Sequence, residues 1–169
     1  MLQVLRRLFK HRWFDESDAR RAVPADMAER LRLRVAASEM RHSGEIRIYI
    51  EAGLPWSYLW RKASARERAL AIFAKLRVWD TQDNNGVLIY LLLAERAIEL
   101  VADRSLNQAV APQEWQAMVG RMGDALKQGR YEDGLTQAIS EVSAVLVQHY
   151  ALRTGQANPN ELPDAPVIG

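Results

Sequence analysis

Hydrophobic and polar positions alternate in some parts of the chain and not in others, and the differences predict three strands. The run GVLIYLLLA at residues 86–94 is apolar without alternation, which is typical of a central strand covered by helices on both faces. AIELVADRSL follows after a very short turn at Glu95 and Arg96, so these two strands are predicted to form an antiparallel hairpin. GEIRIYIEAG at residues 44–53 alternates strictly and is predicted to be a half-covered strand toward a sheet edge. One face of this strand carries Ile46, Ile48 and Ile50. The other face carries Glu45, Arg47, Tyr49 and Glu51.

Four segments have the apolar spacing of helices. Pro24 suits the first turn of one helix, and Ser64 and Glu67 form a capping box ahead of the next. Pro112 opens a third helix, and residues 131–150 form the fourth. The predicted inward residues are Leu31, Val35 and Met40 in the first helix and Leu70, Phe73, Ala74 and Leu76 in the second. The order helix, strand, helix, strand, strand, helix, helix predicts a three-layer α/β/α sandwich around a small mixed sheet.

The chain is predicted to have three parts. Residues 1–22 are a basic amphipathic segment, residues 23–152 form the α/β/α domain, and residues 153–169 are an extended tail with three prolines. The N-terminal helix predicted within residues 1–14 docks on its own domain or a second copy, makes peripheral contact with an anionic membrane surface, or is disordered. In the LPWSYLW segment, Trp56, Tyr58 and Trp60 are predicted to cover an end of the core.

Composition excludes several classes of function. The 23 basic and 21 acidic residues leave a formal charge of only +2, so nucleic acid is not the expected partner. The absence of cysteine excludes disulfides, thiolate metal sites and cysteine nucleophiles. The longest apolar run is of strand length, and the first residues lack the apolar core of a secretory signal, so a cytoplasmic location is expected.

Oxygen-bearing side chains cluster directly ahead of the predicted central strand, in WDTQDNN at residues 79–85. Carboxylates, asparagine side chains and backbone carbonyls are the ligands that hard cations prefer. A tight hairpin brings the end of the partner strand to the same place. The candidate ligands for calcium or another divalent cation are Asp80, Asp83, Asn84, Asn85 and Asp103. The alternative is an Asn-Gly turn with solvated side chains.

Other functional motifs are missing from the sequence. An EF-hand loop aligned on Gly86 has Thr81 and Leu92 where ligands belong. Neither a G-x-x-x-x-G-K-[ST] nor a G-x-G-x-x-G motif occurs, so no nucleotide cofactor is expected. His11, His42 and His149 lack ligand spacing and are predicted to be surface or capping groups.

The succession HSGEIRIYIE, ALAIFAKLRVWDTQDNNGVLIYLLLAER and AIELVADRSL resembles the TPM domain family over residues 43–149. The resemblance depends on the G-E-I strand start, on Phe73 and on N-N-G-V-L at residues 84–88. It implies a small α/β/α domain, here of the short soluble bacterial class. It also implies calcium binding in some members, acid phosphatase activity in a few, and roles in the repair or assembly of membrane proteins.

Two functions are therefore considered. The first is a non-enzymatic binding module that uses the loop at residues 80–85, with a weakly bound divalent cation, to engage a membrane-associated protein partner. The alternative is a metal-dependent phosphohydrolase, in which Asp80 and Asp83 hold the cation, Asp103 orients water and Arg104 neutralises phosphate charge. Many family members have Gly-x-Gly-Leu where this chain has Asp103 to Leu106, which weighs against the phosphohydrolase.

Overall fold

The computed structural model describes Arg7, His11 and residues 13–169. The elements of the described part are α1 (Glu16–Ala22), α2 (Ala25–Glu39), β1 (Ile46–Glu51), α3 (Trp56–Trp60), α4 (Ala65–Lys75), β2 (Val87–Leu92), β3 (Ala97–Ala102), α5 (Arg104–Ala109), α6 (Pro112–Lys127), α7 (Tyr131–Tyr150) and β4 (Val167–Ile168). The prediction from sequence did not include the short helices α3 and α5, nor β4. No helix in this part of the chain is long and apolar enough to cross a membrane.

The strands form one mixed sheet in the order β3-β2-β1-β4. β1 pairs in parallel with β2 and with β4, whereas β3 is antiparallel to β2. The predicted hairpin is confirmed, with Leu92 opposite Ala97 and Val87 opposite Ala102. Its turn is a single 3₁₀ turn followed by Arg96, which has φ +50°.

Helices cover both faces of the sheet, which confirms the three-layer α/β/α prediction. Val87, Ile89 and Leu91 of β2 pack in one cluster with α1, α2, α5, α6 and α7. Leu88 and Leu92 pack on the other face with α3 and α4. Every residue of β2 is buried, as predicted for a central strand, and each buried aliphatic side chain contributes about 1.5–3 kcal/mol.

β1 lies toward a sheet edge as predicted, with only the two-residue β4 beyond it, but the prediction that one of its faces is open was wrong. β4 pairs with the side of β1 that β2 leaves free, and all six residues of β1 are buried. Next to the strand, the Glu45 carboxylate accepts hydrogen bonds from the backbone N–H groups of Glu161 (3.1 Å) and Leu162 (3.0 Å). Arg47 donates to the carbonyl of Pro163. The C-terminal residues therefore satisfy polar groups that the alternating pattern assigned to solvent.

The end of β1 carries a buried ion pair. Glu51 accepts hydrogen bonds from the guanidinium of Arg68 in α4, the shortest being 2.6 Å. The hydroxyl of Tyr90 in β2 donates to the same carboxylate at 2.6 Å. Burial raises the pKa of Tyr90, and the neighbouring Glu51 carboxylate raises it further. The polar face of β1 is thus part of the core between the sheet and α4.

The predicted inward faces of two helices were partly wrong. Met40 is 79% exposed because α2 ends one residue before it. In α4 the capping box of Ser64 and Glu67 is confirmed, but Leu70 and Ala74 are exposed. The buried residues of α4 are Ala65, Ala69 and Ile72.

The aromatic segment 54–60 also differs from its prediction. Trp56 and Trp60 do not cover the core, since both are largely exposed on α3. Most of the predicted N-terminal helix, namely residues 1–6, 8–10 and 12, lies outside the described residues. Arg7 and His11 do contact the domain, through Glu95.

Candidate functional site

The loop between α4 and β2 is held by contacts within the loop and by a close approach to the end of α4. The N–H of Asn85 donates to the Oγ1 of Thr81 at 3.2 Å, and Asn84 has φ +51°, a conformation that asparagine tolerates better than most residues. A Cβ on Gly86 would lie 2.1 Å from the carbonyl oxygen of Val78. Only glycine therefore allows the chain to pass this close to the end of α4 before it enters β2.

Ser43, just ahead of β1, joins the side chains of two predicted site residues. The amide Nδ2 of Asn85 donates to Ser43 Oγ at 3.2 Å, and that hydroxyl donates to Asp83 Oδ2 at 3.1 Å. Asn85 is fully buried, and its Oδ1 has no hydrogen-bond partner among the described residues. The loop thus presents one buried, unpaired oxygen, linked through a serine to an exposed carboxylate.

Ser43 is itself positioned by a buried histidine and by the end of α7. The His42 ring lies 3.1 Å from the carbonyl of Gly44 and 3.2 Å from Ser38 Oγ. Burial lowers the pKa of His42 to about 4, so the ring is neutral at pH 7, with Nδ1–H donating to the carbonyl and Nε2 accepting from the serine. The backbone N–H of Ser43 donates to the carbonyl of Tyr150. His42 and His11 are both buried. Of the two predicted roles, surface or capping group, the surface role was therefore wrong, while each ring does bind a backbone group.

An open polar cavity of about 550 Å³ lies beside this linkage. Ser43 and Asp83 line one side, and Tyr150, Arg153 and Gln156 line the other. Sequence reasoning missed Ser43, Tyr150 and Arg153. Ser43 is 40 residues ahead of Asp83, more than sixty residues separate the loop from the end of α7, and no local motif connects them.

The segment after β3 meets the loop, as the tight hairpin predicted. The N–H of Ser105 donates to the carbonyl of Asn84 at 3.3 Å, and its hydroxyl donates to the carbonyl of Asp83 at 3.0 Å. The Arg104 guanidinium donates to Asn84 Oδ1 at 2.6 Å. Arg104, the predicted phosphate ligand, therefore binds the side chain of Asn84, the residue before the buried Asn85.

Two of the predicted metal ligands are not part of the linkage through Ser43, although the N–H of Asp103 donates to the carbonyl of Gly86 at 2.9 Å and this residue therefore lies next to the loop. Asp80 forms an ion pair with Arg77 at 2.7 Å. Asp103 is buried at the N-cap of α5, where its Oδ1 accepts from the N–H of Arg104 and its Oδ2 has no partner among the described residues. Within the described part of the chain, no three histidine, aspartate or glutamate side chains are placed to hold one metal ion. Asp83 and Asn85 are the predicted ligands whose side chains Ser43 connects.

Comparisons with known proteins agree with this architecture. A search of curated proteins found no match. The BA42 protein from Bizionia argentinensis, solved by NMR, is similar with a TM-score of 0.74 and 23% identity, covering 87% of this chain and 95% of that one. The N-terminal domain of a P. gingivalis protein is similar with a TM-score of 0.55 and 18% identity, covering 76% and 81%. At these identities the likeness concerns the fold alone. The family model for the TPM domain matches residues 17–145, and the chain therefore belongs to the TPM domain family.

Proposed function

We propose that the chain is a non-enzymatic binding module that holds a divalent cation weakly beside Asp83 and Asn85 and uses this surface to engage a protein partner. The proposal is carried by one observation: the Oδ1 atom of Asn85 is buried and has no hydrogen-bond donor among the described residues. A buried acceptor left without a partner costs about 1–3 kcal/mol. Such an atom in a native fold often marks an ion or a water.

The surroundings of this oxygen suit a hard cation. Asp83 supplies a carboxylate that solvent reaches, and the Ser43 hydroxyl fixes its position relative to Asn85. Calcium accepts carboxylate, amide and carbonyl oxygens in a flexible geometry, whereas magnesium demands a near-ideal octahedron. We therefore favour calcium as the cation.

The affinity is expected to be low. Asp80 is paired with Arg77, and Asp103 caps α5, so Asp83 is the one carboxylate of the predicted set that the Ser43 linkage places beside Asn85. Sites with few charged ligands have dissociation constants of about 10⁻⁴–10⁻³ M. That the partner is a membrane-associated protein rests on the family resemblance alone.

The phosphohydrolase alternative receives less support from the geometry. It requires Asp80, Asp83, Asp103 and Arg104 to act on one phosphate. Asp80 forms an ion pair with Arg77. The side chain of Arg104 is 78% exposed and donates to Asn84. Asp103 and Arg104 contact each other, so three of the four residues assigned to the phosphate, namely Asp80, Asp103 and Arg104, are engaged in contacts within the protein.

Calcium titration calorimetry on three proteins tests the proposal. The wild-type chain is expected to bind weakly, Asp83→Asn to lose binding by tenfold or more, and Asp80→Asn, a matched control on the same loop, to bind as the wild type does. A phosphatase panel with and without calcium is run beside it. If the wild-type chain turns over a phosphate ester and Asp83→Asn abolishes that turnover, the hydrolase hypothesis is favoured over the binding module. If all three proteins bind calcium equally, the cation site is not at this loop.

A further inference from the structure

Three exposed tryptophans lie at the end of the molecule opposite the cation loop. Trp60 is 83% exposed, Trp13 80% and Trp56 58%. Tryptophan has a large apolar ring with a single polar N–H, so its exposure to water is unfavourable unless a partner covers it. Several such residues at one place on a surface mark an interaction site.

Helix α3 directs two of these rings outward. Trp56 and Trp60 are four positions apart and so share one helix face. Leu59 is buried in the core cluster. Tyr58 lies beneath the guanidinium of Arg68, whose central carbon is 4.9 Å from the ring centroid. These inward contacts fix the orientation of the helix, so the outward position of its tryptophans is part of the fold.

The N-terminal segment brings Trp13 to the same end. His11 accepts a hydrogen bond at Nδ1 from the backbone N–H of Leu54, two residues ahead of Trp56, at 3.0 Å. Arg7 donates to the carbonyl of Ala63, just after α3, at 2.7 Å. The described residues of this segment therefore contact both ends of the stretch that carries α3.

Basic residues lie close to these tryptophans in the sequence. Residues 53–64 include Arg61 and Lys62, both exposed, and no acidic residue. Residues 1–14 include four arginines or lysines and likewise no acidic residue. We call Trp13, Trp56, Trp60, Arg61 and Lys62 together the tryptophan surface.

Three of the acidic groups near these tryptophans have cationic partners. Their ion pairs are Arg7–Glu95, Arg20–Glu16 and Arg21–Asp18. Asp15 accepts hydrogen bonds from backbone N–H groups at the start of α1, and Glu67 accepts one from the N–H of Ser64 at the start of α4. Arg61 and Lys62 do not take part in these ion pairs and are the cations beside the rings of α3.

We propose that the tryptophan surface docks on an anionic lipid membrane, with the rings at the headgroup level and Arg61 and Lys62 against the acidic headgroups. Tryptophan is enriched at membrane interfaces because its ring suits the boundary between apolar chains and water, and basic residues near an anionic leaflet are attracted to it. The surface lies beyond the C-terminal end of β2, whereas the cation loop precedes the same strand. Six residues at ~3.3 Å each separate them by about 20 Å, so the docking does not depend on the proposed cation.

Flotation of the full chain with lipid vesicles tests this proposal. The chain is expected to float at low salt with vesicles that contain about one-third phosphatidylserine in phosphatidylcholine, and to stay in solution with phosphatidylcholine alone. Arg61→Gln and Lys62→Asn should each lower the partition coefficient about fivefold, since one basic residue contributes about 1 kcal/mol. Asparagine is chosen because Lys62 has φ +56°. Trp60→Ser is expected to lower partition tenfold or more without a change in melting temperature.

Trp79→Ser is the matched control, because Trp79 is 45% exposed and lies at the other end of the molecule, ahead of β2. This variant is expected to float as the wild type does. The proposal is overturned if the wild-type chain does not float, or if Trp60→Ser floats equally well. It is also overturned if the chain is a dimer in solution that Trp60→Ser converts to a monomer without any flotation, because a second copy would then be the partner of this surface.

Discussion

The carboxyl group of Glu39 is buried at the end of α2, where its Oε1 accepts a hydrogen bond from the N–H of Ile46 at 2.9 Å. Burial raises its pKa from the ordinary 4.5 to about 8, and the nearby carboxylates of Glu45 and Asp164 add to that rise. The positive charge nearby is that of Arg47. Replacing Glu39 by glutamine, which keeps the carbonyl acceptor and cannot ionise, is expected to stabilise the protein at neutral pH.

The magnitude follows from the two pKa values. The folded state holds a proton on Glu39 that the unfolded chain releases above pH 4.5, so this residue makes the protein less stable as the pH rises from 4.5 to 8. At pH 7 the cost is about 3 kcal/mol, at about 1.4 kcal/mol per pH unit. The stability difference between Glu39→Gln and the wild type should therefore be near zero at pH 4.5, reach about 3 kcal/mol at pH 7, and become constant above pH 8.

Urea denaturation of both proteins at several pH values measures this difference directly. Glu29→Gln is the matched control, because Glu29 lies on the same helix, is exposed and pairs with Arg32. That change should shift the free energy of unfolding by less than about 0.5 kcal/mol. A Glu39→Gln variant that is no more stable than the wild type at pH 7 would show that the carboxyl group is not held protonated.

Three substitutions and one pH titration test other features of the fold. Arg68→Ala leaves the carboxylate at the end of β1 without its cation and is expected to cost about 3–5 kcal/mol in urea denaturation. Gly86→Ala places a Cβ 2.1 Å from the carbonyl of Val78 and should cost about 1–3 kcal/mol. Gly120→Ala, with nothing within 4 Å, should stabilise α6 by about 0.5–1 kcal/mol. The lowered pKa of His42, about 4, predicts that up to about 3 kcal/mol of stability present above pH 6.5 is lost as the pH falls toward 4. NMR titration of the ring should show no protonation near pH 6.5.

Local patterns predicted the elements whose signals lie within a few residues. The unbroken apolar run marked β2 as central, and the capping box at Ser64 marked the start of α4, because burial on both faces and backbone capping leave direct traces in sequence. Met40 and the tryptophans of α3 show the limit of such patterns. Their apolar character indicates that they are more stable when covered, but it does not indicate whether the covering residues belong to the same domain.

Long-range contacts account for what the sequence did not predict. The polar alternation of β1 indicated solvent, whereas Glu45 and Arg47 have partners in residues 161–165, more than a hundred positions later. At the site, the hairpin correctly predicted that residues 103–105 approach the loop at 80–85. The linkage of Asp83 to Asn85 through Ser43 could not be predicted, because it depends on the parallel pairing of β1 with β2.

The most direct test of the proposed function is an NMR titration of the ¹⁵N-labelled chain with calcium. The side-chain amide signals of Asn85 and the backbone signals of residues 81–86 are expected to move progressively up to millimolar calcium, while the signals of α3 stay in place. In Asp83→Asn the same signals should move little over that range. Unchanged Asn85 signals in the wild-type chain at saturating calcium, or shifts located elsewhere in the domain, would contradict a cation site at this loop.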